Sequence, residues 1–152
     1  MVKKYVLWFL VIFTCFVIFN FSAKEGDNSK KTTETVTKKI VDIVTDNKIS
    51  NEEIEKEPFK TIHAVIRKIG HFVEFLLLGV FVFLLIQSYG FSFKKSIIIT
   101  LVFVLFYAAT DEIHQLFVGG RDGRVTDVLI DFLGGLTGTA LLYLFQKKKL
   151  TK

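Results

Sequence analysis

FVEFLLLGVFVFLLIQSYGF, residues 72–91, is the stretch that decides the fold of this chain. Its 20 residues contain one charged side chain, that of Glu74, and no proline. A helix of about 20 apolar residues crosses the roughly 30 Å hydrocarbon core of a bilayer and satisfies its own backbone hydrogen bonds there. The stretch also lacks the alternation of polar and apolar residues that is typical of barrel strands. It therefore predicts a transmembrane helix.

Three further apolar stretches, residues 5–21, 97–117 and 125–145, have similar lengths. The composition also indicates a membrane protein, because 51% hydrophobic residues, 17 Phe and a single Pro in 152 residues are unusual for a soluble domain. We predict an all-α membrane protein with about four transmembrane helices. Lys3 and Lys4 precede the first stretch, as in a secretory signal, but its length and Phe21 close to an Ala23 cleavage point favour an uncleaved anchor.

The polarity of the chain divides it into five parts. A polar segment follows the first apolar stretch, and its start lacks large apolar groups, which is typical of disorder. Apolar residues at helical spacing then predict short helices and, after Pro58, an amphipathic helix that lies at the membrane interface. The predicted parts are an anchor (1–22), an extracytoplasmic linker with short helices (23–58), the interfacial helix (59–71), a three-helix membrane core (72–147) and a basic cytoplasmic tail (148–152).

The net charge of +5 does not indicate nucleic-acid binding, because the basic residues cluster at helix ends. The clusters are residues 3–4, 94–95 and 147–149, and all three lie on one side of the membrane if the chain crosses four times. Cytoplasmic loops carry an excess of Lys and Arg. We therefore predict cytoplasmic N- and C-termini, with membrane lipids as partners.

Polar residues interrupt the second, third and fourth apolar stretches. Consecutive helices alternate in direction, so the start of the second, the end of the third and the start of the fourth lie on the same side. A carboxylate deep in hydrocarbon costs roughly 2.5–3.5 kcal/mol, so such groups need partners, water or a function. Helical spacing puts most of these residues in one stripe per helix. The predicted polar site consists of Arg67, His71, Glu74, Asp111, Glu112, His114, Gln115, Arg121, Arg124, Asp127 and Asp131.

Several kinds of site fit these residues. Arg121 and Arg124 could neutralise the carboxylates or hold an anionic ligand group. The sequence requires no cofactor, but the His and carboxylate residues could bind zinc or a harder divalent cation, although no zinc signature occurs. A proton relay is disfavoured, because residues 80–86 and 97–106 are almost wholly apolar. The small residues Gly134, Gly135 and Gly138 predict close helix packing, within one chain or between two copies.

Three motifs carry a family resemblance. They are Lys68-x-x-His71-Phe72-x-x-Phe75, then Asp111-Glu112-x-His114-Gln115-x-Phe117, then Arg121-x-x-Arg124-x-x-Asp127-x-x-x-Asp131-x-x-Gly134. Together they resemble the VanZ-like family of bacterial membrane proteins, over roughly residues 68–138. Many members carry Pro where this chain has Gly120, and Asn where it has Asp131, so the site of this chain carries an additional carboxylate.

The resemblance implies a multi-pass protein of the bacterial cell membrane and an association with resistance to the glycopeptide teicoplanin; it names no reaction. We expect the polar site to bind an anionic envelope ligand, either lipid-linked or related to peptidoglycan, and to contribute to teicoplanin tolerance. The alternatives are a membrane-embedded hydrolase, metal-assisted or acid/base, with no catalytic residue assigned, and a purely structural clamp between helices.

Overall fold

Four helices make up the regular structure of the chain. The computed structural model describes residues 2–23, 35, 39, 59–118 and 123–150, and these residues contain no strand. Each helix includes a segment long and apolar enough to cross a membrane. The prediction of an all-α membrane protein with four transmembrane helices is thus confirmed. The helices are α1 (Val2–Ser22), α2 (Phe59–Ser88), α3 (Phe93–Gln115) and α4 (Val125–Leu150).

The helix boundaries differ from the apolar stretches by a few residues. The predicted interfacial helix and the second crossing form one unbroken helix, α2. This helix ends before the apolar stretch does, because Gly90 takes a φ of 83°, a left-handed conformation that suits glycine. At the end of α3 the amides of Phe117 and Val118 bond to carbonyls three residues earlier, which tightens the last turn. Nearly all of the predicted linker (23–58) and the end of the tail lie outside the described residues.

The closest packing in the bundle is between α2 and α4, and glycines make it possible. A Cβ atom added at Gly134 would overlap the carbonyl oxygen of Phe72, and one added at Gly138 would overlap that of Leu76. Gly79 and Gly135 meet backbone to backbone at the same interface. Small residues allow two helix backbones to approach closely where apolar burial gives little driving force, as in lipid. These glycines therefore hold α2 and α4 together within one chain.

The first helix is an integral part of the bundle. It packs on α2 and, over a smaller area, on α3. The Tyr107 hydroxyl of α3 donates a hydrogen bond of 2.6 Å to the Cys15 carbonyl, and Trp8 Nε1 donates one of 3.0 Å to the Tyr89 hydroxyl. Ile18 is fully buried. These contacts join α1 to the rest of the bundle near both of its ends.

Most of the apolar surface of the helices stays uncovered by protein. Within the candidate membrane spans only 22–33% of the residues are buried. Large apolar side chains such as Phe106 and Phe117 are 70% and 84% exposed. Exposed apolar area of this extent requires an apolar solvent, which a bilayer supplies.

Candidate functional site

Three helices each bring one ionisable side chain to a common point. His71 of α2, Asp111 of α3 and Asp131 of α4 offer one polar atom each, and these atoms all lie within 4.8 Å of one another. The alternating direction of the helices explains the meeting, since α2 and α4 begin, and α3 ends, at the same end of the bundle. At 1.5 Å per residue, each of the three lies about one to two turns inside its candidate span. We call these three residues the acid–histidine cluster.

Asp111 is buried and well supplied with hydrogen bonds. Its Oδ2 accepts one from the Ser22 hydroxyl at 2.7 Å and one from Gln115 Nε2 at 2.9 Å. Gln115 Nε2 also donates to Ser22 Oγ at 3.3 Å. The end of α1 is thus joined to the end of α3 by a small polar network inside the bundle.

Ser22 was not predicted as a site residue. It is fully buried, although it stands next to the polar linker in sequence and was assigned only to the end of the anchor. One signal could have found it: α1 runs in the same direction as α3, so the end of α1 must lie on the same side as the polar residues. A hydroxyl at that position has a buried carboxylate within reach.

Asp131 has a different environment. Its side chain is fully buried, and neither of its carboxylate oxygens has a hydrogen-bond partner in the described structure. The nearest opposite group is the His71 ring, with Nδ1 at 3.7 Å from Oδ1, which is longer than a hydrogen bond. Two buried carboxylates therefore lie side by side, one supplied with donors and the other not.

A pocket opens from this cluster toward the end of the bundle. Lys68 Nζ lies 3.5 Å from Asp127 Oδ1, which forms an ion pair between α2 and α4. Glu112 is buried, and its Oε2 accepts a hydrogen bond of 2.8 Å from the Arg124 amide, which ties α3 to the start of α4. The pocket is lined by Arg67, Lys68, His71, Glu112, Gln115, Asp127, Ile130 and Asp131.

Of the four remaining predicted site residues, the structure describes three, and none of these three lines the pocket. The His114 ring lies 4.5 Å, between centroids, from that of Phe19 of α1, and its Nδ1 is buried without a hydrogen-bond partner in the described structure. Glu74 is half-buried one turn beyond His71, and the Arg124 side chain is exposed. Arg121 lies outside the described residues. Of the eleven predicted residues, those that line the pocket are Arg67, His71, Glu112, Gln115, Asp127 and Asp131.

The cationic and the anionic side chains that line the pocket differ in their exposure. Arg67 is exposed and Lys68 is half-exposed, whereas Glu112 and Asp131 are buried. The two cations therefore lie at the more exposed part of the pocket, where Lys68 pairs with the partly exposed Asp127, and the other two carboxylates lie at the buried part. Such an arrangement offers interaction partners both for an anionic group and for hydrogen-bond donors. The acid–histidine cluster, with one imidazole and two carboxylates, also contains the ligand types that divalent metals accept.

Four apolar helices with a polar pocket at one end define the class of the protein, a multi-pass helical membrane protein. The model of the family described as VanZ/LLP1 matches residues 7–146, nearly the whole chain, and the chain belongs to that family. The resemblance of the three motifs is thus confirmed, and the match extends beyond them to α1. Comparison with curated proteins and with solved structures gave no match.

Proposed function

We propose that the pocket binds the headgroup of an anionic envelope molecule, lipid-linked or related to peptidoglycan, and that this binding contributes to teicoplanin tolerance. One observation carries the proposal: cations at the more exposed part and carboxylates at the buried part share one pocket at the end of an apolar bundle. A lipid-linked precursor has matching chemistry, since its phosphate is anionic, its sugar or peptide part offers donors, and its chain is apolar.

Arg67 and Lys68 are the groups proposed to hold the anionic part. Guanidinium groups bind phosphate in a bidentate manner, and ammonium groups bind it as point charges. Lys68 now pairs with Asp127 at 3.5 Å, and both side chains retain some exposure, so a phosphate can share or replace this partner. The buried carboxylate of Glu112 lies deeper in the same pocket, where it can accept from a hydroxyl or amine.

The pocket is proposed to face the extracytoplasmic side. Lys4 lies 4.3 Å from the centre of the Tyr89 ring, so the start of α1 and the link between α2 and α3 are at the same end of the bundle. Lys94 and Lys95 follow that link, and this end is opposite the pocket. An excess of Lys and Arg marks the cytoplasmic side in multi-pass proteins. Both termini are then cytoplasmic, in the bacterial cell membrane.

Drug susceptibility tests the tolerance part of this proposal. A teicoplanin-sensitive Gram-positive host expresses the wild type, the double variant Arg67→Gln/Lys68→Gln, or the control Lys94→Gln/Lys95→Gln at the opposite end, with membrane levels matched. We expect wild type and control to raise the inhibitory concentration of teicoplanin at least fourfold, and the pocket variant to have no effect. Equal tolerance from both double variants, or none from the wild type, would contradict the proposal.

A membrane-embedded hydrolase is the second candidate, and the acid–histidine cluster is the observation that favours it. Two buried carboxylates and an imidazole can act as acid and base, or as metal ligands. Purified protein would be incubated with a polyprenyl diphosphate, and released phosphate measured. If the protein is such a hydrolase, we expect Asp131→Asn to release at least a hundredfold less phosphate than the wild type. Equal release from wild type and variant would exclude a role for this cluster in hydrolysis.

A further inference from the structure

We propose that His71, Asp111 and Asp131 form a binding site for one divalent transition-metal ion, of the class of Zn²⁺ or Mn²⁺. The sequence offered several His and carboxylate residues as ligands, without a recognisable spacing. The structure brings these three together from three different helices. The proposal does not depend on the envelope ligand, because metal binding can be measured without it.

The distances within the acid–histidine cluster suit a metal ion. Metal–ligand bonds of about 2.1 Å at tetrahedral angles separate the ligand atoms by roughly 3.4 Å. His71 Nδ1 and Asp131 Oδ1 are 3.7 Å apart, and no pair among the three ligand atoms is separated by more than 4.8 Å. Small side-chain rotations therefore suffice to bring all three to bonding distance of one ion.

Asp131 supplies an independent reason to expect an ion. Its carboxylate is fully buried, and the described structure provides no hydrogen-bond donor to either oxygen. A buried charge is normally paired or bound to a metal. His71 alone does not satisfy it, because the 3.7 Å separation exceeds hydrogen-bond length. A divalent cation balances the two carboxylates and provides the missing partner.

The hydrogen bonds that Asp111 accepts orient its carboxylate for metal binding. Ser22 and Gln115 both donate to Oδ2, so neither of these bonds occupies Oδ1. Hydrogen bonds of this kind orient the carboxylates that ligate metals, and they are part of the design of such sites. His71 and Asp131 also line the pocket, so a metal bound there can be reached from it. Nitrogen and oxygen ligands without sulfur favour Zn²⁺ and Mn²⁺ over Cu⁺.

Metal titration of the purified full chain tests the proposal. The protein in detergent would be stripped with a chelator, incubated with Zn²⁺ or Mn²⁺ and desalted, and its metal content measured by mass spectrometry. We expect about one ion per chain for the wild type. Asp131→Asn should weaken binding at least tenfold, because it replaces a charged ligand. Thr137→Ala, the control farther along α4, should bind like the wild type, because the Thr137 hydroxyl donates to the Leu133 carbonyl of its own helix and does not line the pocket.

Two results would overturn the proposal. One is a wild type that binds no more metal than Asp131→Asn; the other is a control, Thr137→Ala, that loses binding to the same extent. X-ray absorption on the metal-loaded wild type keeps the test valid if a variant fails to fold. It should show nitrogen and oxygen neighbours at about 2.0–2.2 Å, whereas a sulfur neighbour at about 2.3 Å would contradict the assigned ligands.

Discussion

At the scale of single residues, Asp111 and Asp131 show how the surroundings of a buried carboxylate determine its role. Asp111 accepts hydrogen bonds from a hydroxyl and an amide, so its charge is spread over a network that joins α1 to α3. Neither carboxylate oxygen of Asp131 accepts a hydrogen bond in the described structure. Hydrogen bonds to charged groups contribute about 1.5–3 kcal/mol each, whereas an unsatisfied buried group lowers stability. Asp111 therefore stabilises the fold through its hydrogen bonds, whereas Asp131 makes no such contribution in the described structure.

Replacing Asp111 should destabilise the bundle. Asp111→Ala leaves the Ser22 hydroxyl and the Gln115 amide without their shared acceptor, and we expect the free energy of unfolding to fall by about 1–3 kcal/mol. The measurement is detergent-induced unfolding of the purified protein. The adjacent Thr110→Ala serves as control, because Thr110 is exposed and its hydroxyl donates to the Tyr107 carbonyl of its own helix. Equal loss in the two variants would show that the network contributes nothing.

At the scale of helices, the contact between α2 and α4 sets the geometry of the site. His71 and Asp131 lie on these two helices, and so do Lys68 and Asp127. The glycine surface lies directly beyond them along α4, with Gly134 against the Phe72 carbonyl. The spacing of the two backbones thus fixes the distances between the polar side chains. The same contacts would also occur in a purely structural clamp between the helices. A measurement of ligand binding by the pocket distinguishes a clamp from a binding site.

A methyl group in this contact should push the helices apart. Gly138→Ala places a Cβ atom against the Leu76 carbonyl, which belongs to the backbone and cannot rotate away. We expect a loss of about 1–3 kcal/mol in unfolding free energy, typical of overpacking. Gly70→Ala is the matched control, since a Cβ there meets nothing within 4 Å and alanine is the better helix former. A stable Gly138→Ala protein would refute the close contact.

At the scale of the whole molecule, charge and polarity separate the two ends of the bundle. One end carries the pocket, and the other carries Lys4, Lys94 and Lys95 beside the link between α2 and α3. The apolar surface between the ends faces lipid. Because cytoplasmic loops carry an excess of Lys and Arg, this asymmetry predicts a defined orientation in the membrane.

Cysteine labelling should reveal that orientation. In a Cys15→Ala background, Phe117→Cys near the pocket end should react in intact cells with a maleimide that cannot cross membranes. Lys94→Cys should react only after the cells are opened. Both positions are exposed in the structure, so access to the reagent depends on the side of the membrane. The reverse pattern would place the pocket on the cytoplasmic side.

The sequence was sufficient to predict the four helices because hydrophobicity over about 20 residues is a strong signal. Helix parity likewise predicted that the polar residues share one side. The partners within the site could not be predicted, since they depend on helix rotation and on contacts between distant residues. Ser22 meets Asp111 across 89 positions of sequence, and His114 faces Phe19 instead of the pocket. Neither contact has a local sequence signal.

Lipid binding by the purified protein tests the central claim most directly. Native mass spectrometry would measure retention of a polyprenyl phosphate by the wild type, by Arg67→Gln/Lys68→Gln and by the control Lys94→Gln/Lys95→Gln. We expect wild type and control to retain the lipid equally, and the pocket variant to retain at least tenfold less, since each lost charge-assisted contact is worth about 1.5–3 kcal/mol. Retention by the pocket variant equal to that of the wild type would contradict an anion-binding pocket at this end of the bundle.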